Sequence, residues 1–130
     1  MRSYRGWFLA AAAYNLLWGT AACLFPTAFL RLGNLEARSA PLFQAIGMIV
    51  GVYAYAYWLL SRDPIRYCGL VWTGLIGKLL GPVGFLFAVF RGELPWTFGW
   101  INVTNDLIWL PAFALFAWNY ARRPLEAGAI

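Results

Sequence analysis

The sequence predicts an all-α integral membrane protein, an antiparallel four-helix bundle forming a single transmembrane domain over residues 1–130. Three observations predict it. Of the 130 residues, 62% are hydrophobic and 12% charged, with a mean hydropathy of +0.63, too apolar for a chain whose surface faces water. The charges gather between long apolar runs. A crossing consumes about 20 residues, so this length holds roughly four of them and no separate soluble domain.

Residues 6–30 carry no charge, and their centre, about 7–25, is long enough to cross the hydrocarbon as the first helix. Arg2 and Arg5 ahead of this run, with Ala21, Ala22 and Cys23 near its end, bear a faint likeness to a lipoprotein signal. The run exceeds an ordinary signal core and Thr20 suits such a site poorly, so a retained helix is expected. Pro26 ends it, and Phe29, Leu30 and Leu32 around Arg31 predict a short segment in the interface. The second helix covers about 41–60, followed by a tight polar turn at 61–66 containing Pro64. The third covers about 67–90, with Lys78 as its one charge, and residues 91–96 close a short hairpin. The fourth covers about 97–120, with Asp106 as its one charge, and a polar tail follows.

Loop charges give the orientation. Arg2, Arg5, Arg62, Arg66, Arg122 and Arg123 fall on one side, against Arg31, Arg38 and Arg91 on the other, so both termini are expected in the cytoplasm and the protein in the cytoplasmic (inner) membrane. Trp7, Tyr67, Trp96, Trp100, Trp118 and Tyr120 lie near helix ends, as interfacial anchors do. The net charge of +5 then points to lipid headgroups as partners. Nucleic acid would want a soluble basic face, which this chain does not offer.

Helices in a bilayer associate through small residues and polar contacts, because lipid tails are as apolar as leucine. Ala12, Asn15, Gly19 and Ala22 share one face of the first helix; Gln44, Gly47, Gly51 and Tyr55 share one of the second. Gly74, Gly77, Gly81 and Gly84 are expected to form a groove on the third helix that admits a neighbouring backbone.

An ionisable group deep in hydrocarbon costs at least about 2.5–3.5 kcal/mol unless satisfied, so Lys78 and Asp106 each need a partner. Counted from the hairpin, Lys78 lies about 18 Å deep and Asp106 about 13.5 Å deep, within reach of one another through the lysine stem. Asn15 and Asn105 fall in the same layer, and Gln44 lies nearer the outer surface. Pro82 and Pro111 lack amide hydrogens and leave the carbonyls of Lys78 and Leu107 without helical donors, so both helices are expected to open or kink beside the charges. Lys78, Asp106, Asn15 and Asn105 are therefore the candidate ligand-binding residues. A structural ion pair that fixes which helices are neighbours is the competing reading.

Histidine is absent, which removes imidazole-ligated haem, His-rich metal centres, Ser/His/Asp triads and a histidine switch. Cys23 and Cys68 form no C-x-x-C pair. No catalytic residue, cofactor or metal is expected.

The strings FQAIGMIVGVY (43–53), GLIGKLLGPVGF (74–85), GELPWTFGW (92–100) and NDLIWLPAF (105–113), with YNLLWG (14–19) and the Phe25-Pro26 pair, resemble a family of small four-helix bacterial membrane proteins of unassigned function. The likeness covers about residues 10–117 and implies the same bundle. Some members carry the label alkyl hydroperoxide reductase. A peroxidatic cysteine needs an exposed, activated thiolate with a resolving partner, whereas Cys23 and Cys68 are expected on opposite faces of the membrane. The expected function is binding, with or without translocation, of a small amphipathic or anionic molecule or of protons at the Lys/Asp centre. The alternative is a non-catalytic accessory subunit or assembly factor of a larger membrane complex. A homo-oligomer is compatible with both.

Overall fold

Helices form wherever the chain is free of charge and proline, and break where proline or a polar cluster intervenes. The computed structural model describes residues 1–122, which are mostly helical with short turns and connections between the helices and no strand among the described residues. Arg123 and the rest of the expected polar tail lie outside the described residues. Helix α1 spans Arg2–Leu24, α2 Pro26–Leu32, α3 Ala40–Arg62 and α4 Leu70–Phe90. Among the described residues three helices are long and apolar enough to cross a membrane: Arg2–Leu24, Ala37–Arg62 (α3 with the short helical turn before it) and Leu70–Phe90. The interfacial segment expected after Pro26 is the short helix α2. Helix α4 starts at Leu70, later than expected, because residues 63–69 wind into turns in which Asp63 Oδ1 accepts the Arg66 amide at 3.1 Å.

The fourth segment corrects the expectation of one helix over 97–120. It begins with a 3-10 turn, Trp96–Phe98, and continues as α5 (Gly99–Asn102), a π-turn (Val103–Leu107), α6 (Leu110–Phe116) and a second π-turn (Ala117–Ala121). Pro111 sits in the first turn of α6, where its missing N–H is harmless; continued backwards as α-helix, it would deprive Leu107 of a donor. The helix restarts at the proline, and the irregular stretch falls just before it. Pro82, in contrast, is accommodated inside an unbroken α4.

Packing follows the small residues. Ala12, Asn15, Gly19 and Ala22 are all buried on one face of α1, which meets α3 backbone to backbone. A Cβ on Gly19 would stand 2.6 Å from Gly47 O and 2.9 Å from Gly51 N, so only glycine permits this crossing. Two bonds clamp its end: Gln44 Nε2 donates to Cys23 O at 2.8 Å, and Cys23 Sγ to Gln44 O at 3.5 Å. Tyr55 departs from the expected stripe, being 65% exposed and stacked on Trp58. Eight residues beyond Gly47 the helix has turned about 80° past alignment, away from the buried side defined by Phe43, Gly47, Ala54 and Ser61.

The α4 glycines also differ from expectation. No backbone enters their groove; side chains do. A Cβ on Gly74 would meet the rings of Tyr57 and Phe113 at 2.7 and 2.8 Å, one on Gly81 would meet Asp106 Oδ2 at 2.6 Å, and Gly84 faces open space.

The two ends of the molecule close differently. At one, Phe8, Phe113 and Phe116 pack edge to face at 5.0–5.2 Å, and Tyr4 reaches Phe116 and Tyr120. Trp72 Nε1 donates to Ala121 O at 3.4 Å. The start of α1, the start of α4 and residue 121 therefore share this end, and α1 runs opposite to the fourth segment. At the other end, beside α2, the core is Ala22, Leu30 and Phe43, with Trp18, Phe29 and Phe98 against it.

Candidate functional site

The π-turn at Val103–Leu107 builds the site. In an α-helix the amides of Ile108 and Trp109 would bond the carbonyls of Thr104 and Asn105. Here Ile108 N donates five residues back to Val103 O at 3.2 Å, and Trp109 N three back to Asp106 O at 3.1 Å. Side chains take up the two carbonyls so released. The indole Nε1 of Trp109 donates to Thr104 O at 3.0 Å, and Lys78 Nζ donates to Asn105 O at 2.6 Å. π-turns of this kind recur at functional sites because they present backbone acceptors sideways.

Lys78 thus reaches from α4 into a gap in the backbone of the fourth segment. Its residue is 3% exposed, and its ammonium lies 3.8 Å from Asp106 Oδ1. The shorter contact is to the carbonyl, so the lysine is held first by Asn105 O and second by the carboxylate. Tyr57 and Phe113 flank the ammonium with ring centroids at 5.4 and 5.8 Å, close enough for their π faces to stabilise it. Asp106 also accepts from Asn105 Nδ2 at 3.2 Å on Oδ1, while its Oδ2 abuts Gly81. The bare Cα of Gly81 makes room for the carboxylate.

Asn15 enters from α1, 3% exposed, its Nδ2 donating to Val50 O at 3.4 Å. The carboxamide oxygens of Asn15 and Asn105 are buried without a hydrogen-bond partner. In both, Nδ2 faces an acceptor, a carbonyl or a carboxylate, so the amide orientation is fixed by chemistry.

All four residues expected from the sequence, Lys78, Asp106, Asn15 and Asn105, line one cavity of about 320 Å³ between the α1–α3 pair on one side and α4 with the fourth segment on the other. Gln44 lies apart from it, in the clamp at the end of α1. Tyr53, Tyr57 and Asn102 line the cavity too, and the sequence reading passed them over. Asn102 was within reach, since it precedes Asn105 and Asp106 by one helical turn; nothing in the sequence singles out the two tyrosines. The lining is otherwise apolar, the combination that ligand pockets show. Among the described residues no three His, Cys, Asp or Glu side chains come together to hold a metal ion. Cys23 closes α1 while Cys68 precedes α4, and both are free thiols.

No protein-family model, no curated protein and no solved structure matches this chain.

Proposed function

We propose that this chain is a four-crossing protein of the cytoplasmic membrane, both termini in the cytoplasm, that binds a small amphipathic molecule around Lys78 and Asp106. The fourth crossing is the segment from Trp96 to Ala121, whose exposed Trp96, Trp100 and Trp118 suit the two interfaces. An even number of crossings agrees with the start of α1 lying beside Tyr120.

The observation that carries the binding reading is the convergence of four polar side chains from three separate segments on one cavity. A structural ion pair needs no such space, since two charges held only for packing are best served by close contact on all sides. In the proposed role Lys78 and Asn105 offer hydrogen bonds to the guest's polar group and Asp106 balances the ammonium. The unpaired oxygens of Asn15 and Asn105 each cost about 1–3 kcal/mol, which a donor on the guest offsets. Proton movement through the same pair is the limiting case in which the guest is water or a proton.

Native mass spectrometry of gently extracted protein tests this reading. The wild-type chain is expected to retain a small molecule that Lys78→Met and Asp106→Asn lose while keeping their helical circular dichroism. Wild-type protein without a guest, or variants that keep it, would overturn the reading. A reproducible second polypeptide in place of a small molecule would show the accessory-subunit role instead.

A further inference from the structure

The cavity is closed at its two ends and open at its side. Toward α2 it is capped by Phe98, seated so closely on Gly33 that a Cβ there would stand 2.5 Å from the ring, and by Trp18 and Phe43 packed with it. Toward the termini it is floored by the buried ring of Tyr57 and by the Lys78–Asp106 pair. Along its flank the lining changes character. Ile46 and Ile49 of α3 border the cavity yet are 44% and 59% exposed, whereas Gly77 and Gly81 of α4 are covered by Tyr53 and by Asp106, so the open flank is on the α3 side. In a bilayer this opening faces acyl chains, not water.

The charge inside is balanced. An anion would meet the Asp106 carboxylate 3.8 Å from the ammonium, with the lysine already donating to Asn105 O; a cation would meet Lys78 itself. The remaining polar groups include both donors and acceptors, which suits a group able to do both, such as a hydroxyl. A volume of about 320 Å³, at the small end of ligand pockets, holds a polar head and the first part of a chain, with the rest left in lipid.

Resting on the binding role proposed above, the geometry points to a guest that is an uncharged, hydroxyl-bearing single-chain amphiphile, which enters sideways from the bilayer past the exposed Ile46 and Ile49 of α3. Its polar end lies against Lys78 and Asn105, and its chain leaves past Ile46 and Ile49. The site draws on membrane-dissolved molecules and discriminates against ionic ones of the same length.

Three photoreactive probes with matched twelve-carbon chains, an alcohol, a carboxylate and a trimethylammonium, each with a diazirine near the polar end, test this in phosphatidylcholine vesicles containing the full chain. Labelled positions are read by peptide mass spectrometry. The alcohol is expected to mark Trp18, Tyr53 or Asn105, with competition by unlabelled dodecanol, and to exceed the charged probes there by at least about tenfold, since a like charge at close range costs that much or more. Ile49→Trp and Ile46→Trp, both at lipid-exposed positions where a larger side chain fits the fold, are expected to cut this labelling by narrowing the mouth. Equal labelling by the carboxylate or ammonium would overturn the guest class and leave the site standing. Unchanged labelling in both tryptophan variants would overturn the lateral route. Labelling of the cavity by none of the three probes, above the level at lipid-facing Leu42 and Phe87, would remove the binding role itself.

Discussion

Replacing Lys78 by methionine keeps most of the side chain's apolar length and deletes the ammonium, so its effect measures the polar centre and little else. The loss strands two groups at once. Asp106 is left with the Asn105 amide at 3.2 Å as its remaining donor, and Asn105 O loses its 2.6 Å bond from Lys78. Removing one member of a buried ion pair costs about 3–5 kcal/mol. Adding Asp106→Asn removes the stranded charge without changing shape, and the residual cost is that of an unpaired carbonyl, about 1–3 kcal/mol. The double variant is therefore expected to be more stable than Lys78→Met alone by about 2 kcal/mol. Equilibrium unfolding in mixed dodecyl maltoside and dodecyl sulfate micelles, followed by circular dichroism, measures the cycle. A Lys78→Met variant within about 0.5 kcal/mol of wild type, or a double variant that costs the sum of the singles, would refute the reasoning.

The same assay reads two further changes. Gly19→Ala drives a Cβ into the backbone of α3 and is expected to cost about 1–3 kcal/mol, whereas Gly51→Ala meets nothing within 4 Å and is expected to be neutral or to stabilise by up to about 1 kcal/mol; equal losses would contradict the α1–α3 crossing. Trp109→Phe retains a ring against Trp7 but frees Thr104 O, with an expected cost of about 1 kcal/mol, and no change at all would deny the indole its role in the π-turn. Gly81→Ala pushes against the Asp106 carboxylate, a side chain that can move, so it is expected to lower guest retention in native mass spectrometry while leaving the fold intact. Retention at the wild-type level would separate the carboxylate's position from binding.

The layer of polar groups was legible in the sequence because helical rise converts residue number into depth. Counting from the hairpin for Lys78, Asp106 and Asn105, and from the end of the first helix for Asn15, placed the four at compatible heights, and the structure brings all four to one cavity. Pro111 likewise announced that the fourth segment would open beside Asp106. Its form was not legible: whether the backbone kinks, tightens or widens depends on which side chains capture the freed carbonyls, and here the captors are Trp109 and Lys78. Residue type also misled about the glycines. The i, i+3 and i, i+4 spacing of Gly74, Gly77 and Gly81 marks a smooth face, but nothing in that spacing says whether a backbone or an aromatic ring will lie on it; α3 brings Tyr53 and Tyr57 there. Gly19 and Gly47, in contrast, do meet main chain to main chain. Tyr55 shows the limit of extending a four-residue step across several turns, since the small angular drift accumulates until the last residue faces outward.

Lys78 is the only lysine in the chain, so a sample with ¹⁵N at lysine Nζ gives a single side-chain signal. Solid-state dipolar recoupling in lipid vesicles, from that nitrogen to ¹³C placed at asparagine carbonyls and aspartate carboxyls, measures the central contact directly. The account predicts a strong coupling to the Asn105 carbonyl, a weaker one to the Asp106 carboxyl, and slow exchange of the ammonium protons with solvent. An ammonium that exchanges freely with water and couples to neither carbon would contradict it.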